Sequence, residues 1–77
     1  MDLKTVLTDI ARAIVDHPDA VSVTQTEDED EITLVLSVAE DDTGMVIGRH
    51  GKIAKAIRSV MKAAATNIGK RVNVEIQ

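Results

Sequence analysis

Val46-Ile47-Gly48-Arg49-His50-Gly51-Lys52-Ile53 is the stretch whose reading decides the fold. Two glycines bracket two long polar residues, the aliphatic triplet Met45-Val46-Ile47 leads in, and a helical pattern begins at once on the far side. Glycine permits positive φ and removes the side chain that would hold another backbone at a distance. The free N–H groups and dipole of a helix starting at Lys52 favour an anion at that point. Arg49, His50 and Lys52 add donors and positive charge. The loop therefore reads as a receiver for a phosphate backbone. Two other phosphate loops fail on counting. The Walker A loop and the dinucleotide fingerprint both need glycine where Val46 stands, and the first also needs Ser or Thr in place of Ile53.

Downstream of the loop the period is helical from Lys52 to about Ile68. Ile53, Ile57, Val60, Met61, Ala64 and Ile68 fall within an arc of about 100°, a stripe expected to face the core. Lys52, Lys55, Arg58 and Lys62 fall within about 120° on the side away from Ile57 and Met61, so a basic stripe starts at the glycine loop and runs along one helix. Ala63, Ala64 and Ala65 allow close approach to a neighbour. Asn67 and Gly69 end the helix, and Val72, Val74 and Ile76 alternate as a last strand whose start carries Lys70 and Arg71.

Upstream, Leu3, Leu7, Ile10 and Ile14, with Val6 and Val15 beside them, define an amphipathic helix with Asp2 as N-cap and His17-Pro18 as its stop. Val21-Ser22-Val23-Thr24 and Ile32, Leu34, Leu36, Val38 alternate as two strands. The run Thr26-Glu27-Asp28-Glu29-Asp30-Glu31 between them is too acidic to bury and reads as an exposed hairpin turn. Glu40-Asp41-Asp42 precedes a single helical turn, Thr43 to Ile47, with Asp42 or Thr43 as its cap. The predicted order is α-β-β-α-α-β over one domain, residues 1–77, of the α+β class, with a three-stranded sheet covered on one face by three helices.

The net charge of −4 averages two unlike halves. Residues 1–42 hold twelve acids and two bases, and residues 43–77 hold seven bases and one acid. A pI near 4.9 would disfavour nucleic acid on a uniform surface, but a local basic face on an acidic body can still neutralise phosphates. The absence of cysteine removes disulfides, thiolate zinc sites and cysteine nucleophiles, and the absence of Phe, Trp and Tyr removes aromatic stacking of bases. No apolar run exceeds three residues, which argues against a membrane span, and the N-terminus is unlike a secretory signal.

Catalytic and metal chemistry finds no foothold. His17 and His50 have no cysteine partners, and His17 is expected at a helix end, facing the C-terminal dipole. Asp28 and Asp30 resemble the start of a calcium loop, but Ile32 and Thr33 occupy its fifth and sixth positions. Glu40, Asp41 and Asp42 read as solvated caps. Ser22, Ser37 and Ser59 have no base at nucleophile spacing. Met1 reads as the start residue, and Met45 and Met61 as core filler. No enzyme, cofactor or metal site is expected.

With Ile47-Gly48-Arg49-His50-Gly51 between its two central helices, the order α-β-β-α-α-β resembles a K-homology (KH) domain of type II topology, over essentially the whole chain. More closely, it resembles the small stand-alone bacterial KH proteins of the KhpA family. In KH domains the G-x-x-G loop clamps the backbone of about four single-stranded nucleotides. The resemblance implies single-stranded RNA as partner, with Gly48, Arg49, His50 and Gly51 on the phosphates. Lys52, Lys55 and Arg58 would extend the grip along the helix. Val46, Ile47 and Ile53 would border an aliphatic groove for bases, together with an exposed edge of the second strand at Val35. It further implies a cytoplasmic RNA chaperone or post-transcriptional regulator linked to cell shape and cell-wall biogenesis. Such a protein would act as a homodimer or with the larger KH protein KhpB (Jag, EloR), so Arg49 and His50 could serve RNA or assembly. The alternative class is a protein-interaction adaptor with little RNA affinity of its own.

Overall fold

A computed structural model describes residues 2–77; Met1 lies outside the described residues. Helix α1 spans Leu3–Ile14, strand β1 Ser22–Glu27, strand β2 Glu31–Ser37, helix α2 Thr43–Ile47, helix α3 Lys52–Ala64 and strand β3 Arg71–Ile76. Short 3-10 turns at Pro18–Ala20, Glu40–Asp42, Arg49–Gly51 and Thr66–Ile68 link them. This is the expected α+β order.

The sheet runs β1-β2-β3, with β1 antiparallel to β2 and β3 parallel to it. Glu31 pairs with Arg71 and Leu36 with Ile76 across the parallel ladder. Parallel neighbours need a long crossover. Here α2 and α3 supply it, and the glycine loop sits at its midpoint. The hairpin turn is tighter than the acidic run suggests, because both strands extend into that run. Asp28 Oδ1 accepts from the backbone N–H groups of Asp30 and Glu31, each at 2.8 Å, and Asp28 N donates to Glu31 O at 2.9 Å. An aspartate closing a turn on its own following backbone is a local preference of that side chain.

Strand β2 alternates as its sequence requires, with Ile32, Leu34 and Leu36 buried against the helices. Leu7, Leu34, Leu36, Val46 and Met61 are among the fully buried side chains of a wholly aliphatic core. Removing such a side chain to alanine costs about 2–5 kcal/mol.

Helix α1 is capped as expected, with Asp2 accepting from Lys4 N at 3.2 Å and Thr5 Oγ1 at 2.8 Å. It stops at Ile14, earlier than His17-Pro18, because Val15 turns extended (ψ 161°) to bury its side chain. Helix α3 likewise ends at Ala64, and the chain leaves through Gly69 at φ 77°.

Two expectations about core faces are corrected. Ile53, Val60 and Ile68 are exposed, and Ala54 and Ala65 are buried in their place beside Ile57 and Met61. Counting 100° per residue, the buried face of α3 is rolled by about 50° from the centre of the apolar stripe. Met45 is also exposed, so of the two methionines expected as core filler Met61 alone is buried.

Candidate nucleic-acid interface

The glycine loop is fixed by backbone stereochemistry. Gly48 leaves α2 at φ 75°, ψ 176°, a region open essentially to glycine alone. A Cβ there would stand 2.6 Å from Ile53 Cγ1, so close approach demands glycine a second time. Gly51 adopts φ 73°, ψ 15° with open space around it, so only its left-handed backbone selects glycine. His50 shares that conformation at φ 57°, ψ 25°, an uncommon state for a residue with a side chain. The Gly51 N–H donates to Gly48 O at 3.2 Å and closes the turn. Arg49 and His50 are both exposed. The N–H groups of Gly48, Gly51 and Lys52 are turned inward onto Gly44 O, Gly48 O and Arg49 O. Among the described residues those of Arg49 and His50, ahead of the 13-residue α3, are therefore the loop donors left to face an anion.

Lys52, Lys55, Arg58 and Lys62 are exposed on α3. On the helical wheel Arg58, Lys62 and Lys55 occupy the flank turned toward β3, centred about 100° from the core face. Arg58 Nε donates to Val74 O at 3.2 Å, tying the helix to the free side of β3. Among the described residues no salt bridge involves Arg49, Lys52, Lys55, Arg58 or Lys62. The band remains electrostatically uncompensated at short range.

The aliphatic residues divide. Ile47 and Ile53 are exposed beside the loop, but Val46 is 0 % exposed and belongs to the core beneath it, where it can offer no contact surface. The strand facing α3 across a groove is β3, since β2 is the central strand. Val35, half-buried on β2, therefore has no free edge to present. Sequence reasoning missed Thr66 and Asn73, which with Lys62, Lys70 and Arg71 line a pocket of about 370 Å³ at the far end of α3. The strand alternation that sends Val72 and Val74 inward could have placed Asn73 outward. A second concavity, about 450 Å³ and apolar, lies between α1 and α3, walled by Ile10, Ile14, Ile53, Ala56 and Val60.

Support for the loop comes from an unexpected quarter. Asp42, read from sequence as a solvated cap, is 1 % exposed and makes no side-chain cap bond to α2. Its Oδ2 accepts from His17 N at 2.9 Å and lies 3.1 Å from His17 Nδ1. His17 thus faces a carboxylate and not the α1 dipole, because α1 has already ended at Ile14. Burial pushes the Asp42 pKa up, but the hydrogen bonds from the His17 backbone and ring and from the Asp16 backbone outweigh it and hold it below the usual range. The start of the short α2, and with it the approach to Gly48, is pinned to the connection between α1 and β1.

The sequence model described as KhpA/KhpB, KH domain, matches residues 4–76. The RNA-binding protein KhpA of Clostridium acetobutylicum is 53 % identical over 74 residues, covering 96 % of this chain and 99 % of that protein. The RNA-binding protein KhpA of Halalkalibacterium halodurans is 49 % identical over 74 residues, covering 96 % and 97 %. Among solved structures, Era in complex with MgGDPNP and a segment of 16S ribosomal RNA superposes with a TM-score of 0.72 at 17 % identity. That match covers 96 % of this chain and 28 % of Era, and it is a likeness of fold. The glycine loop between two helices, the αββααβ order and these matches agree: the chain belongs to the KhpA/KhpB family of KH domains.

Proposed function

We propose that this chain, as one KH domain, binds single-stranded RNA without catalysing its conversion, as a cytoplasmic chaperone or post-transcriptional regulator. The observation that carries the reading is the uncompensated cationic band, which starts at the strained loop Gly48–Gly51 and continues through Lys52, Lys55 and Arg58. The name RNA-binding protein KhpA, borne by relatives about half identical over nearly the whole chain, supports it. Backbone N–H groups of the loop with Arg49 and His50 hold phosphates, and Ile47 and Ile53 offer aliphatic contact to bases. Because phosphate contacts release counterions, log K falls with log salt by about 0.7 per phosphate neutralised on a single strand.

A second reading, association with another KH domain (a copy of this chain or the larger KhpB), is favoured by the apolar concavity between α1 and α3. Val60, 49 % exposed on its wall, is a large hydrophobic side chain that a partner would cover. The double substitution Arg49→Asp, His50→Asp tests the RNA reading. With the circular dichroism of the folded state retained, crosslinking to single-stranded RNA is expected to be lost, and its persistence would show that the loop is not the clamp. Light scattering on the wild type and on Val60→Asp tests the second reading. The wild type is expected at twice the monomer mass and the variant at the monomer mass, and a monomeric wild type overturns association as a homodimer.

A further inference from the structure

The bases at the start of β3 do not belong to the open band. Lys70 Nζ donates to a Glu27 carboxylate oxygen and, at 2.9 Å, to the Asp28 carbonyl; Arg71 lies 3.9 Å from Glu31. The Arg71 backbone N–H also donates to Asp30 O at 3.0 Å, so the acidic hairpin tip is fastened to β3 by main chain as well as by charge. The turn itself is locked by Asp28, which places Glu27 and Glu31 in fixed register at its two ends. Lys70 hydrogen-bonding and charge hold the Glu27 carboxyl below its usual pKa, so it is ionised at neutral pH.

These two cations line the pocket at the far end of α3, together with Lys62, Thr66 and Asn73. An RNA strand gripped at the glycine loop and led along the β3 side of α3 would reach that pocket next. There it meets cations already paired with carboxylates, and Glu29 and Asp30 beyond them repel phosphate. Resting on the RNA-binding reading, we propose that the hairpin tip is an electrostatic stop, in which Glu27 and Glu31 withhold Lys70 and Arg71 from phosphate and so limit the length of RNA the domain grips. The acidic half of the molecule then shortens the footprint locally, beyond lowering affinity everywhere.

The test is the double substitution Glu27→Gln, Glu31→Gln against a charge-matched control, Asp9→Asn, Asp19→Asn, whose residues are exposed on α1 and on the turn before β1. Binding is measured by fluorescence anisotropy on oligouridylates of about four and about eight nucleotides, across a salt series. The stop predicts that the hairpin variant gains at least about threefold over the control on the longer oligomer and nothing over it on the shorter. Its salt slope on the longer oligomer should steepen by about 1.4, the equivalent of two further phosphates. Equal gains for variant and control at both lengths overturn the proposal. Tripolyphosphate, followed through the backbone amide shifts of residues 70–73, tests the same point without RNA. Saturable shifts are expected in the hairpin variant alone, and their absence there overturns the stop. A wild type that binds neither oligomer, with those shifts present in the variant, refutes the RNA reading and with it the footprint limit, while the withholding of Lys70 and Arg71 from phosphate stands.

Discussion

Gly48 and Gly51 carry nearly the same φ, and replacing each with alanine should separate two physical effects. At Gly51 the new Cβ meets nothing within 4 Å, so Gly51→Ala costs only the left-handed backbone, about 1–2 kcal/mol. At Gly48 the backbone sits at ψ 176°, where alanine is strained by about 1–3 kcal/mol. Its Cβ would also meet Ile53 Cγ1 at 2.6 Å, and Cβ and Cδ1 each at 2.9 Å, adding an overpacking cost of about 1–3 kcal/mol. The sum, about 2–6 kcal/mol, is a large part of the roughly 4–12 kcal/mol expected for a chain of this size. Urea and thermal unfolding read it directly. A domain this small loses about 4–8 °C per kcal/mol, so Gly51→Ala should lower Tm by about 4–16 °C and Gly48→Ala by distinctly more. Adding Ile53→Ala to each variant removes the Cγ1 and Cδ1 contacts and leaves the one at Cβ. The double variant at Gly48 should be less destabilised than the sum of its singles, while the pair at Gly51 should be additive. Equal costs at the two glycines, or additivity at Gly48, would refute the close-approach argument.

Asp42→Asn should lower stability at neutral pH and flatten its acid limb. A carboxyl whose folded pKa is depressed contributes stability above its unfolded value, about 3.9, and loses it as pH falls through the folded one. Urea midpoints measured from pH 7 to pH 2 should therefore converge for wild type and variant at the acid end. Arg58→Met keeps the aliphatic stem but leaves Val74 O without its Nε partner, at a cost of about 0.5–1.5 kcal/mol by urea unfolding, and weakens RNA binding with a shallower salt slope. Unchanged binding would place Arg58 outside the interface.

The order of elements was legible because each carries one period, 3.6 in α1 and α3 and 2 in β2, with glycines as punctuation between them. The roll of α3 was not. The centre of its apolar stripe is offset from its buried face, and hydropathy ranks Ile53 and Val60 above Ala54 and Ala65, although the alanines are the buried ones. Asp42 was illegible for a different reason: its partner His17 lies 25 residues upstream, and nothing local marks a carboxylate for burial. The same holds for Lys70, whose partner Glu27 is 43 residues away. Counted along the chain Lys70 belongs to the basic half, but in space it belongs to the acidic hairpin. The turn between α2 and α3 was legible because its requirements are local, with positive φ at Gly48 and Gly51.

The wheel of α3 decides how far the two proposed uses of the domain interfere. Taking the core face as the reference, Arg58, Lys62 and Lys55 lie about 60–120° to one side, toward β3, and Ile53, Val60 and Ala56 about 80–140° to the other, toward α1. RNA drawn along the basic flank and a second KH domain seated on the apolar flank would meet the same helix on opposite sides. Lys52 is where they converge: it heads the basic stripe and also lines the apolar concavity. Competition is thereby confined to the loop end of α3, where Arg49, His50 and Lys52 stand, and the body of the helix can serve both. Lys62→Glu should then weaken RNA alone and Val60→Asp association alone, whereas changes at Lys52 should touch both.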